Sequence, residues 1–231
     1  MFTLNQYSSS ALLIDDMVKH IVTALEQAIE QRGRASIAVS GGSSPIPMFK
    51  KLSEQSLPWN KVYITLVDDR WVDTTHADSN ENLVMKHLLI NKAKLANFIG
   101  FKNNAPTPFA GEQYTQDKLR EIPVPFDVVI LGMGEDGHTA SLFPHAENLH
   151  HGLDMHSGKL VVGMVPLTAP HERMTLTLPA ILNSHHIYLL LNGKSKKQVL
   201  EKALQGHDVD EMPIRAVLEQ KRVDVIGFWA E

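Results

Sequence analysis

The sequence predicts an α/β protein: an open, mostly parallel, twisted sheet with helices on both faces, a Rossmann-like arrangement. Two observations carry this expectation. Short β-branched runs such as ASIAV (35–39), KVYITLV (61–67) and FDVVIL (126–131) alternate with segments of helical periodicity, the order of βαβ units. The 231 residues, 43 % of them hydrophobic, show no Pro/Ser linker, low-complexity tract or internal repeat, so one domain over residues 1–231 is expected.

The elements follow in order. Leu13, Met17, Ile21, Val22, Leu25 and Ile29 recur at helical spacing between Ser10 and Arg32, and Gly33 suits a left-handed stop. The strand ASIAV leads through a Gly/Ser/Pro turn into a helix that starts at Pro45 and runs on into MFKKL. KVYITLV precedes the helix SNENLVMKHLL, for which Ser79 is the N-cap. NFIGF (97–101) and the polar helical stretch GEQYTQDKLREI repeat the order more loosely. FDVVIL, KLVVGMV (159–165), HIYLLL (186–191) and VDVIGF (223–228) supply further strands, with a helix from Ser195 to Gln205. RMTLTLP alternates, placing Met174, Leu176 and Leu178 on one face and Arg173, Thr175 and Thr177 on the other. Residues 144–158, PHAENLHHGLDMHSG, read as a surface loop. Its histidines 145, 150, 151 and 156 lack the spacing of a metal site, and none is assigned.

Composition narrows the function. There is no cysteine, which removes disulfides, thiolate metal sites and cysteine nucleophiles and suits a reducing cytoplasm. No run approaches the ~18 apolar residues needed to span a bilayer, and the first residues lack a secretory pattern, so a cytoplasmic location is expected. A net charge of −4 offers no general attraction to nucleic acid or an anionic membrane. Any anion site must therefore be a local cluster.

In an open α/β sheet, ligands bind beyond the carboxyl ends of the strands. SGGSSP (40–45) follows the first such strand. Gly41 and Gly42 permit a tight turn, Ser43 and Ser44 offer hydroxyls, and the helix beyond presents free N–H groups to an anion such as phosphate. The stretch lacks the Lys-Ser/Thr pair of a nucleotide triphosphate loop. LVDDRWV (66–72) places Asp68, Asp69 and Arg70 at the next strand end. Charged residues are costly to bury unpaired, so this segment is not expected deep in the sheet; Arg70 either forms a local ion pair with an Asp that closes the turn or is held by a carboxylate and directed at a ligand, while Trp71 and Val72 pack inward. GMGEDGHTASLFP (132–144) contains the glycine pattern of a dinucleotide turn. Pro144 allows at most a short helix after Gly137, and Asp154 is poorly placed to bind a ribose, so a nicotinamide or flavin site is not expected. The glycines instead present His138, preceded by Glu135 and Asp136. An imidazole with an ordinary pKa near ~6.5 can take a proton from water at neutral pH, and Asp136 is the nearest carboxylate to orient it. Arg173, and the lysines 194, 196 and 197 after HIYLLL, are candidate phosphate ligands or plain surface charges.

Taken together, SGGSSP, VDDRWV, SNENLVMKHLL, GMGEDGHTASLFP and RMTLTLPAILN, in this order from about residue 36 to 204, resemble the soluble 6-phosphogluconolactonase family. The resemblance implies a sugar-phosphate-isomerase-like fold shared with glucosamine-6-phosphate deaminase. It implies hydrolysis of 6-phospho-D-glucono-1,5-lactone in the oxidative pentose phosphate pathway, with a small sugar phosphate as partner and neither metal nor organic cofactor. Carried over by residue, His138 is the base that activates water, Asp136 lies beside it, and Arg70 is the active-site arginine. Gly41, Gly42, Ser43 and Ser44 contribute to the substrate site, while Arg173 and Lys196 are basic positions near the phosphate. The family commonly has Asp-Glu-Arg where this chain has Asp68-Asp69-Arg70. TASLFP after the histidine, where the deaminase has an Asn-Glu-Pro type of sequence, favours the lactonase. A deaminase-like enzyme and a non-catalytic sugar-phosphate sensor are the competing readings, and the sequence fixes no oligomeric state.

Overall fold

A computed structural model describes residues 1–231. In chain order the elements are β1 (Phe2–Tyr7), α1 (Ser10–Arg32), β2 (Ala35–Val39), α2 (Ile46–Ser53), β3 (Val62–Leu66), β4 (Asp68–Arg70), α3 (Asn80–His87), β5 (Asn97–Ile99) and α4 (Pro108–Leu119). Then come β6 (Phe126–Leu131), α5 (Leu149–Leu153), β7 (Val161–Met164), β8 (Arg173–Leu176), α6 (Leu178–Leu182), β9 (Ser184–Asn192), α7 (Lys194–Gln205), α8 (Ile214–Leu218) and β10 (Val225–Ala230).

Seven strands form one sheet in the order β1-β10-β9-β6-β2-β3-β5, and every pairing in it is parallel. Residues of β2 and β6 are buried throughout, as expected of strands covered on two sides. From β2 the chain steps outward through β3 to β5, then returns to place β6 on the other side of β2 and steps away through β9 to β10. The β2/β6 boundary is thus the point where strand order reverses, the usual ligand crevice of such sheets. It sets where the site must lie. No helix is long and apolar enough to cross a membrane.

Local signals account for the helix ends. Gly33 closes α1 with φ 76° and donates its N–H to Ile29 O at 2.8 Å, while Ser79 Oγ caps α3 by accepting from Asn82 N at 3.2 Å. Six residues ahead of α1, Phe2–Tyr7, form β1, an edge strand not expected from the sequence, and the 144–158 loop holds the short α5. Leu178 opens α6 instead of extending the strand before it, because Thr177 Oγ1 caps that helix at Ala180 N, 3.3 Å.

A second sheet, β4-β8-β7, is antiparallel and stands apart from the large one. The strands expected from KLVVGMV and RMTLTLP belong to it and not to a single parallel sheet. Val67 joins the two sheets: its N–H donates to Val39 O at 3.0 Å on the β2 side, and its carbonyl accepts from Leu176 N at 2.8 Å on the β8 side. One residue later the chain is in β4. The turn after β3 therefore delivers Asp68 to Arg70 to a different sheet from the one that carries Gly41 and His138.

Candidate active site

A cleft of about 290 Å³ opens at the carboxyl ends of β2, β6 and β9 and is closed on one side by β4. Its size suits a single phosphorylated sugar better than a dinucleotide. Gly41, Gly42, Ser44, Arg70, His138 and Lys196 line it, together with Asp68, Asn80 and Asn192. Ser43, Asp136 and Arg173 do not reach its wall.

The β6 turn is built around His138. Gly134 N donates to His138 O at 2.8 Å and Gly137 N to Gly134 O at 3.1 Å, so these N–H groups close the turn on itself and none is offered to a pyrophosphate. No helix follows Gly137 until Leu149. Gly137 takes φ 81°, and a side chain on Gly134 would stand 2.1 Å from His138 Nδ1. Asp136 Oδ1 accepts from His138 N at 3.1 Å and lies 2.6 Å from Nδ1 of the ring. Burial acts to raise the Asp136 carboxyl, but the hydrogen bonds from the His138 ring and backbone outweigh it and hold the group below the ordinary value. An ionised Asp136 keeps the proton on Nδ1 and leaves Nε2, which has no protein partner, as the basic nitrogen. The ring is stacked on Phe143, with centroids 4.3 Å apart.

The β4 segment departs from expectation. Asp68 and Asp69 are buried, at 6 % and 2 % exposure, because each is fully engaged. Asp69 accepts from the N–H groups of Arg70 (2.7 Å), Asn80 (2.6 Å) and Glu81 (3.1 Å) and from Ser79 Oγ (3.3 Å), which seats it on the N-terminus of α3. Asp68 Oδ2 accepts from Ser141 Oγ at 2.5 Å. Neither carboxylate pairs with the Arg70 guanidinium, so the expected carboxylate clamp is replaced by neutral acceptors. Arg70 Nη1 donates to Asp78 O at 2.6 Å and Asn80 Oδ1 at 3.2 Å. Asn80 in turn donates Nδ2 to Asp68 O at 2.8 Å. Its amide lies where a side chain on Gly41 would be, 1.9 Å from that Cβ position, so Gly41 is small because Asn80 is there. Arg70 thus brings to the cleft a guanidinium that is in direct contact with no carboxylate. Trp71 and Val72, expected in the core, are half-buried.

The other two sequence clusters divide. Lys196, in the first turn of α7, faces the cleft with Nζ 3.0 Å from Glu135 Oε1, whereas Lys194 pairs with Glu231 and Lys197 sits over Trp229. Arg173 is 6 % exposed and donates Nε and Nη2 to Pro170 O, 3.3 and 3.1 Å, with its Cζ 5.5 Å from the Phe143 ring centroid. Burial lowers its guanidinium from the ordinary arginine value. No three His, Asp or Glu side chains converge as a metal cluster. Asn80, Asn192 and Phe143 escaped the sequence reading. Asn80 sits in SNENL, where a helix start already explains it, and only the presence of two adjacent glycines at 41 and 42 hinted that something large approaches that turn.

The family model described as glucosamine-6-phosphate isomerases/6-phosphogluconolactonase matches residues 8–226. A 6-phosphogluconolactonase of Neisseria meningitidis is 41 % identical over 236 residues, covering 100 % of both chains. Among solved structures, a 6-phosphogluconolactonase from Shewanella baltica superposes with a TM-score of 0.98 at 44 % identity, covering 100 % of this chain and 98 % of its own. A monomeric glucosamine-6-phosphate deaminase, 18 % identical and covering 97 % of this chain and 96 % of its own, shares the fold at a TM-score of 0.77.

Proposed function

The chain belongs to the family of glucosamine-6-phosphate isomerases and 6-phosphogluconolactonases, and from that premise we infer that it is a hydrolase opening 6-phospho-D-glucono-1,5-lactone to 6-phosphogluconate. This reaction belongs to the oxidative pentose phosphate pathway, and we place it in the cytoplasm. The observation that carries the reading is the Asp136–His138 pair at the mouth of the β2/β6 crevice, with Nε2 free and two cations, Arg70 and Lys196, on the cleft wall.

A lactone is an activated ester. Its hydrolysis needs a base for water and donors for the oxyanion, with no requirement for a covalent nucleophile. His138 Nε2 takes a proton from water as the water oxygen bonds to the lactone carbonyl carbon. The carbonyl electrons move to the oxygen, and Arg70 stabilises that charge. Collapse of the tetrahedral intermediate breaks the bond to the ring oxygen, which leaves as the C5 hydroxyl after receiving the proton held on His138. Lys196 and the turn through Gly41, Gly42 and Ser44 hold the phosphate, so binding energy at the far end of the sugar orients the reacting carbon; the start of α2 adds little, since Ile46 N–H is donated to Ser43 O and Pro45 and Pro47 have no N–H. Arg173, behind the cleft wall, adds positive potential to the same region. The deaminase reading is not favoured, since full-length relatives at 37 to 41 % identity are lactonases.

The test is hydrolysis of freshly generated lactone, corrected for its spontaneous opening, by the wild type and His138→Ala. Wild-type acceleration should fall by about 10² to 10⁴ in kcat in the variant, the usual contribution of a positioned general base. Undiminished turnover in His138→Ala would remove that residue from the reaction. Binding of 6-phosphogluconate without any acceleration would leave a sensor.

A further inference from the structure

The TASLFP segment after His138 has no part in the mechanism above, yet its Phe143 touches the proposed base directly. The two rings are stacked, with centroids 4.3 Å apart and planes inclined by 28°, and Phe143 is only 3 % exposed. The same aromatic ring carries the Arg173 guanidinium at 5.5 Å. No other aromatic ring stacks on the imidazole.

The hydrogen bond from Nδ1 to Asp136 fixes one atom of the imidazole and selects its tautomer. A single bond still lets the ring swing about that point, and Nε2 lies on the far side, where such a swing has its largest effect. A base must keep its nitrogen within hydrogen-bond reach of water, so the plane of the ring needs a second restraint. The absence of a side chain on Gly134 leaves room for the Nδ1 edge, and the face of Phe143 sets the plane. An aromatic face also attracts the imidazolium that forms when water gives up its proton.

We propose that Phe143 is a positioning residue for His138: its ring fixes the plane of the imidazole and steadies the imidazolium formed during attack. This rests on His138 being the base. The charged groups that bear on the imidazole are Asp136 at Nδ1, Arg173 over the Phe143 ring, and Asp68, Arg70 and Lys196 around the cleft. Of these only Arg173 also rests on the Phe143 ring, a contact that Phe143→Leu removes and Phe143→Tyr keeps.

The experiment compares wild type, Phe143→Leu and Phe143→Tyr by kcat, KM, the pH profile of kcat/KM and NMR titration of the His138 ring, with melting temperature recorded for each. Phe143→Met, which fills a similar volume without an aromatic face, replaces the leucine variant if that one does not fold. We expect Phe143→Leu to lower kcat about tenfold with KM within about twofold, since misaiming a reacting group acts on turnover. The His138 titration should move to lower pH by about half a unit, the scale of a lost cation–π contact. Phe143→Tyr should restore both. A leucine or methionine variant with wild-type kcat and an unmoved titration overturns the proposal, as does a tyrosine variant that is folded and equally impaired. The titration reads the imidazole seat in any case. A wild type without turnover therefore refutes the reaction, and an unmoved titration refutes the positioning role.

Discussion

At Gly134 a methyl group would have to occupy the space of His138 Nδ1, 2.1 Å away, and of Asp136 Oδ1, 2.5 Å away. Neither atom can withdraw without giving up the bond that sets the tautomer. Gly134→Ala should therefore reduce kcat by about 10² or more while the protein stays folded, because a displaced base loses most of its contribution. Circular dichroism and kcat together check this. Gly41→Ala acts on the other wall, where its Cβ would stand 1.9 Å from Asn80 Oδ1 and displace the amide from Arg70. The expected result is a loss of kcat/KM with His138 titrating as in the wild type, which steady-state rates and NMR would separate. His138 itself was legible in the sequence because glycines and a nearby proline framed it. Asn80 and Phe143 were not, since a helix-start residue and a phenylalanine in an apolar segment have ordinary explanations until the third dimension brings them against Gly41 and the imidazole.

The element that most depends on a buried charge is α3. Asp69 accepts three N–H groups and a hydroxyl at or beside its first turn, so Asp69→Ala leaves several buried donors without partners. A loss of roughly 3 kcal/mol or more is expected, seen as a fall of the urea midpoint. Burial pushes the Asp69 carboxyl up to about 6 against the opposing backbone hydrogen bonds, and burial plus the Asp69 charge push Glu81 up to about 7. For Glu81 the folded value lies above the unfolded one, ~4.3. The protein then holds the extra proton between those limits, and ionising Glu81 costs stability that is absent below about pH 4 and complete above about pH 7. Glu81→Gln removes that cost. Its melting temperature should match the wild type near pH 4.5 and exceed it near pH 8. Discounted for partial exposure to about 1 kcal/mol, the gain is about 2 to 4 °C. A gain that is equal at both pH values would mean that the charge is not the cause. The expectation that Asp68-Asp69-Arg70 would not lie deep failed for the same reason that α3 is stable. The cost of burial applies to unpaired charge, and the partners sit ten or more residues away, in Ser79 to Glu81 and Ser141. The parallel sheet was legible from strand and helix alternation. The antiparallel β4-β8-β7 sheet was not, because its strands are short and β4 pairs with β8, which lies far along the chain from it.

At the scale of the whole molecule, 60 buried hydrophobic residues form one continuous cluster that includes residues of both sheets. Calorimetry should accordingly show a single unfolding transition, with equal van't Hoff and calorimetric enthalpies. The ends of the chain meet at one edge, where β1 lies parallel to β10 and the Met1 ammonium is 2.8 Å from Asp224 Oδ1. Deleting residues 1–7 would uncover β10, an apolar strand with open backbone groups, and should produce concentration-dependent association measurable by light scattering. The two sheets meet at Val67, and the cleft lies over that meeting: Arg70 comes from the small sheet, and Gly41, His138 and Lys196 follow strands of the large one. A bound sugar phosphate held by both sets of residues would add a tie between two sheets that otherwise meet through the Val67 hydrogen bonds, the connecting chain and shared packing. Such a ligand at about 100 times its Kd adds about 2.7 kcal/mol to the folded state. The mark of the tie would be local: amide exchange should slow in β4, which carries Arg70, and also in β7 and β8, which do not line the cleft.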